Sequence, residues 1–309
     1  MAHIEQHTAG SPTDDQVKWT HLRPIDIALY LKTTHQVIVS HSCIKRIVKA
    51  NNYSRRKPAK TLAIGESVHR KQQFEIVFFL IALFLDMDDN PIISIDTKKK
   101  EVLGELTRNE TVLCKDGKPP KTKDHDFSYL ATGKAIPHGI FDFILNKGYL
   151  SIGNSHETAD FVIDNLDWWW QNFGKQLYQK ATAILILCDC GGANGCRHHL
   201  FKKRLQDWAK KIGIRIVVAH YPPYCSKYNP IERKLFAHVH RTIKHTILID
   251  LTQVKELIMK TSTKQGLSVE VRINDGFYPT KQISNLEMIN KNRILYHPSL
   301  PKFSYTILP

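Results

Sequence analysis

The stretch TAILILCDCGGANG, residues 182–195, decides how this chain is read. Its apolar run is far too short for a membrane span of roughly 20 residues and suits a buried central strand. The run ends in Asp189, held between Cys188 and Cys190, and a glycine-rich turn follows. A carboxylate closing such a strand is costly inside a protein unless it is paired or binds a metal. Three chemistries compete for it: a thiolate metal site, a phosphate-cradling loop, or one acid displayed at a strand tip. A zinc site drawn from Cys188, Cys190, Cys196, His198 and His199 fits poorly. Its C-x-C and C-x5-C spacings miss the usual knuckle, and a regular strand sends both flanking cysteines to the face opposite Asp189. The phosphate loop fits worse, because GGANG has no following Lys-Ser/Thr. The displayed acid remains, with the cysteines as small buried hydrophobes.

Two further acids occupy comparable places. Asp96 closes the apolar run IISID (92–96), and Glu232 lies in the first turn of a helix that opens with NPIE. Each also has a bland explanation. Asp96 suits the turn DTKKK, and Glu232 suits a capping box with Asn229 as N-cap and Pro230 at the first helical position. Taken together, acids at the ends of neighbouring strands converge on one sheet edge, and their mutual repulsion raises their pKa values. Oxygen-only ligands favour Mg2+ or Mn2+, and a pair of such ions serves in-line phosphoryl transfer.

The charge points the same way. The 309 residues include 44 Lys and Arg against 29 Asp and Glu, a net +15 that favours a polyanionic partner. An anionic membrane is the rival, but neither a basic amphipathic helix nor a lipidation signal is evident. The opening residues lack the apolar core of a signal peptide, and six cysteines without an export signal read as reduced thiols in a cytoplasm.

Along the chain, residues 1–19 read as a disordered or truncated lead. Residues 20–60 read as a helix-turn-helix-like DNA-binding segment: Pro24 opens one helix, Ser40 caps a second, and Lys45, Arg46 and Lys49 share its polar face. Arg55 and Arg56 follow in a basic tail. A plain helical hairpin with a solvated basic face fits this segment equally well. Residues 70–285 read as a catalytic α/β domain, a mixed sheet flanked by helices, with a polar insertion near 107–135. Within it, 101–106 is expected to form a hairpin with 92–96, and 138–153 to be further strand. Residues 286–309 read as a C-terminal tail. The tryptophans Trp168–Trp170 cannot all face inward on one regular helix.

The motifs ISIDTKKKEVLGEL, GKAIPHGIFD, LCDCGGANG, PPYCSKYNPIERKLF and KFSYTI, in this order, resemble the Rhodopirellula-type DDE transposases of bacterial insertion sequences, the ISAzo-thirteen group. The resemblance runs from about Trp19 to the C-terminus. It implies a ribonuclease-H-like core, a catalytic metal triad of Asp96, Asp189 and Glu232, and two Mg2+ or Mn2+ ions. It also implies double-stranded DNA as partner, at element ends and target, and a homo-oligomer on that DNA, with no membrane role. The activity implied is cutting at element ends and joining of the freed 3′-hydroxyl to target DNA. Lys98, Lys99, Lys100, Lys227 and Arg233 lie near the acids in sequence and are candidates for phosphate contact. This chain departs from the family's D-G-G-G-S-N at Cys190, and it lacks the helical segment that longer relatives carry upstream of Trp19. A truncated transposase is therefore expected, the alternative being a non-catalytic DNA-binding remnant.

Overall fold

The computed structural model describes residues 2–10, 18–55, 68–108, 114, 118–123, 128–280, 282 and 288–309. The chain divides into two compact units, Met1–Leu62 and Ala63–Pro309.

In the first unit, a short helix α1 (Ala2–Gln6) precedes two paired strands, β1 (Thr8–Gly10) and β2 (Lys18–Thr20). The stretch expected to be a disordered lead thus contains ordered elements. Two helices follow, α2 (Pro24–His35) and α3 (His41–Ala50). Pro24 takes the first helical position, where a missing N–H costs nothing. Ser40 caps α3 by accepting the Cys43 N–H at 3.2 Å. Ile4, Ile27 and Ile44 form the small core, joined by Leu31 and Val48. Lys45, Arg46, Lys49 and Arg55 are exposed, while Arg56 lies outside the described residues.

The second unit opens with α4 (Arg70–Leu85) and is organised by one sheet. Its strands are β3 (Ile92–Thr97), β4 (Glu101–Leu103), β5 (Gly133–Asp142), β6 (Lys147–Gly153), β7 (Ala183–Cys188), β8 (Arg215–His220), β9 (Ser268–Asn274), β10 (Ile294–Tyr296) and β11 (Ser304–Ile307). Their order is β10-β11-β8-β7-β3-β5-β6-β9, with β4 paired to β5. Strands β3, β5 and β6 run antiparallel, while β7 and β8 run parallel to β3. An antiparallel meander extended by parallel strands beyond its first member is the ribonuclease-H-like arrangement.

Helices cover both faces. Helix α5 (Ala159–Trp169), continued by a π-helical turn Trp170–Gly174 and α6 (Lys175–Leu177), packs on one face beside α7 (His199–Ile212). On the other lie α4, a π-helical turn Glu232–Phe236 leading into α8 (Ala237–Ile243), and α9 (Leu251–Met259). The alternation of β7 divides it between them. Ile184, Ile186 and Cys188 face α5 and α7, whereas Leu185 and Leu187 face α4.

Several local expectations change. The segment 101–106 does not form a hairpin with β3; its strand β4 pairs with β5 instead. The run 138–153 is two strands, not one. Asp142 makes the turn between them, its Oδ1 accepting the N–H groups of Ile144 (3.1 Å) and Leu145 (2.9 Å). The apolar pair Ile144-Leu145 hides that turn in the sequence. The expected insertion loses its last residues to β5, and the expected tail supplies β10 and β11. Strand β11 pairs along β8 from Ser304↔Ala219 to Ile307↔Ile216, so these residues complete the sheet. The π-helical turn shifts the register after Trp169, which lets Trp169 and Trp170 both be buried; Trp168 lies under the Arg272 guanidinium at 4.9 Å.

Candidate active site

Strand register brings the first two acids together. Parallel pairing of β3 with β7 runs Ile92↔Leu185, Ile93↔Ile186, Ser94↔Leu187. Two steps further along the same register, Asp96 stands beside Asp189. Strand alternation puts Asp96 on the face of Ile92 and Ser94, the side that carries the Glu232 helix. Asp189 comes one residue after β7, where Gly191 and Gly192 turn the chain away. Its Oδ1 accepts the Gly191 N–H at 3.1 Å. His220 Nδ1 lies 2.9 Å from the Asp189 carbonyl oxygen, and because a carbonyl only accepts, that nitrogen carries the proton.

Glu232 is brought in by Asn229. The Asn229 side chain accepts the Ser94 hydroxyl and donates to the Ile95 carbonyl at 3.3 Å, while Ser94 Oγ accepts the Ile231 N–H at 3.1 Å. Asn229 therefore does not act as a side-chain cap for the Glu232 helix. Its buried amide ties the start of that helix to β3, one residue from Asp96. At the register partner of Asp96, Gly139 leaves room for the same helix: a Cβ there would stand 2.6 Å from Phe236 and 2.9 Å from Ile231.

The electrostatics follow from this crowding. Asp96 is pushed up to about 8, first by burial and then by the charge of Asp189; the Thr97 N–H, donated to its Oδ1 at 2.7 Å, opposes, and Glu232 and Glu157 push further. Burial also raises Asp189, against the Gly191 hydrogen bond. Glu232 is raised by burial and by Asp189, against a hydrogen bond with Asp96 and the charge of Lys98. Each carboxyl prefers a proton or a cation to its bare charge. Among the described residues, no three His, Cys, Asp or Glu side chains converge as tightly as they do around a bound ion. The donor set, all carboxylate oxygen and short of compensating cations, nevertheless fits a hard divalent ion.

The cysteines take other roles. Cys188 is buried on the opposite face, its sulfur 3.3 Å from His220 Nδ1. Cys190 and Cys196 lie close enough in the loop after Asp189 to influence each other.

Of the candidate phosphate contacts, Lys99, Lys100, Lys227 and Arg233 are exposed. Lys98 is not: only 8% exposed, it pairs with Glu101, whose second oxygen takes Arg108 at 2.8 Å. The partner lies only three residues on, but in the sequence Lys98 reads with Lys99 and Lys100 as one basic run. A cavity of about 710 Å³ opens beside Glu232, lined by Lys99, Lys100, Arg108, His240 and Lys244 among others. Arg108, His240 and Lys244 were missed from sequence; the only signal was their basic character. Glu157, the third acid whose charge Asp96 feels, was missed as well.

A ribonuclease-H-like sheet with three acids gathered at one strand edge defines the class of the DDE proteins. Within it, the chain belongs to the Rhodopirellula transposase DDE-domain family, which it matches over residues 1–309. Solved structures of similar fold include the Mos1 transposase paired-end complex with left transposon end, at 12% identity, covering 80% of this chain and 71% of that one, with a TM-score of 0.47. The mariner Mos1 paired end complex with Mg gives 12% identity, 80% and 74% coverage and a TM-score of 0.46. The catalytic domain of Mos1 mariner transposase gives 10%, 64%, 82% and 0.42. No curated protein matches the chain. Among the described residues, no helix is long and apolar enough to cross a membrane.

Proposed function

We propose that the chain is an insertion-sequence transposase that cuts DNA at element ends with the help of a metal and transfers the freed 3′-hydroxyl strand into target DNA. The observation that carries this reading is the meeting of Asp96, Asp189 and Glu232, from three separate segments, beside a cavity rimmed with cations. Membership of a transposase DDE family supports it.

Asp96, Asp189 and Glu232 are the residues that would hold Mg2+ or Mn2+, read here as two ions. Bound there, such ions supply Lewis acidity toward a phosphate and lower the pKa of an attacking water or 3′-hydroxyl. The chain's own groups do the rest. Asp96, held protonated near neutral pH by burial and by the charge of Asp189, would hold such an ion only as the carboxylate, its proton passing to solvent. Lys99 and Lys100 neutralise backbone phosphates at the cavity rim, and the exposed Lys227 and Arg233 serve the same purpose outside it. In the first unit, Lys45, Arg46 and Lys49 of α3, with Arg55 beyond its end, grip the element-end duplex. The exposed Phe78 and Phe79 of α4 support a contact between copies in a homo-oligomer on DNA, which would act in the cytoplasm at the nucleoid.

The test is incubation of the protein with DNA carrying its element ends and Mn2+. Nicks at the ends are expected, and Asp189→Asn should abolish them while leaving DNA affinity within about twofold. An absence of nicking with any divalent ion would sink the enzyme reading and leave DNA binding without catalysis.

A further inference from the structure

The three acids do not exhaust the negative charge at this centre. Glu157 precedes Thr158, the N-cap of α5, whose Oγ1 accepts the Phe161 N–H at 3.3 Å and so fixes where the helix begins. From there Glu157 reaches the turn after β7. A Cβ added at Gly191 would stand 3.4 Å from Asp189 Oδ2, and one added at Gly192 would stand 3.0 Å from Glu157 Oε1. Consecutive glycines thus leave the space that two carboxylates use. Gly192 has φ +64°, a left-handed conformation that favours glycine. Asn194, 4% exposed, brings its Oδ1 to 3.5 Å from the same point, and among the described residues its Nδ2 has no hydrogen-bond partner. Among the described residues, no hydrogen bond or ion pair involves the Glu157 carboxylate. An unpaired carboxylate near an amide oxygen, its charge felt by Asp96, is the environment of a hard cation, which takes carboxylate and Asn carbonyl oxygens alike.

We propose that Glu157 is a fourth acid of this centre, helping to hold a divalent cation on the Asp189 side, with Asn194 backing it. This rests on the three-acid reading above. It is tested on the full chain without DNA by titrating Mn2+ and following free Mn2+ by electron paramagnetic resonance, for wild type, Glu157→Gln and Asp189→Asn. Glu157→Gln should raise the Mn2+ concentration at half-saturation about tenfold, the usual effect of losing a supporting ligand group. Its metal-free thermal unfolding should stay level or rise, because repulsion is relieved. Unchanged Mn2+ binding in Glu157→Gln, with weakened binding in Asp189→Asn, overturns the fourth acid alone. A fall in metal-free stability with Mn2+ binding intact makes Glu157 a mere strut and also overturns it. If Asp189→Asn too binds Mn2+ as wild type does, the three-acid reading itself falls.

Discussion

Asn229 donates its side-chain amide to the carbonyl oxygen of Ile95 at 3.3 Å, one residue before Asp96. Glu232 lies three residues beyond Asn229, so this contact sets the distance between the first and third acids. The same side chain accepts the Ser94 hydroxyl, making a closed link between strand and helix.

Breaking that link should cost both stability and geometry. Asn229→Ala leaves the Ser94 hydroxyl without its buried acceptor and should lower unfolding free energy by about 1–3 kcal/mol. In a double-mutant cycle with Ser94→Ala, urea denaturation should show coupling above about 0.5 kcal/mol. Strict additivity would mean that the two side chains do not act together.

Gly139→Ala tests the other side of the same fit. Its new methyl meets Phe236 and Ile231, so the Glu232 helix must move away from β3. Overpacking of this kind costs about 1–3 kcal/mol. Mn2+-dependent DNA nicking should fall further than the stability loss explains when both are measured at a temperature where the variant is fully folded. Wild-type nicking by Gly139→Ala would argue that the position of Glu232 is not critical.

The lysines after Asp96 should separate into two kinds. Lys99→Ala and Lys100→Ala should each reduce the slope of log affinity against log salt by about 0.9, the signature of one lost phosphate contact. Lys98→Ala should leave that slope alone and instead lower stability by about 1–3 kcal/mol, because Glu101 loses a buried partner. Fluorescence anisotropy across a salt series, paired with thermal melts, reads both effects.

Acid should destabilise the second unit through His138. This ring is fully buried against Phe161, neither nitrogen has a partner among the described residues, and burial, with a smaller push from Arg272, depresses its pKa to about 3. Below the ordinary histidine value near 6.5 the unfolded chain binds a proton that the folded chain refuses. Stability is therefore lost as pH falls from about 6.5 toward about 3, at roughly 1.4 kcal/mol per unit for this one group. His138→Leu should remove that component, so urea curves for the two proteins should diverge between about pH 7 and about pH 5. A constant difference between them would assign the acid sensitivity elsewhere.

The sequence by itself determined the strand that presents Asp189, the basic balance, the helix starts at Pro24 and Ser40 and the ordered motifs that carry the family resemblance. These are local: hydrophobic period, turn chemistry and charge are properties of neighbouring residues. Where local signals were misleading, the structure changed the reading. Ile144-Leu145 concealed a turn, and residues 294–307 looked like a tail because strands of three or four residues carry little pattern of their own. Only the tertiary structure decided which acids meet and which cations are spent. The register that extends Ser94↔Leu187 to Asp96 and Asp189 is a pairing of distant segments, and so is the Asn229 tie to β3. Glu101 claims Lys98 through the turn between β3 and β4, and Glu157 arrives at Gly192 from the start of α5. Burial and charge compensation depend on what folds against a residue, which its neighbours in the chain do not encode.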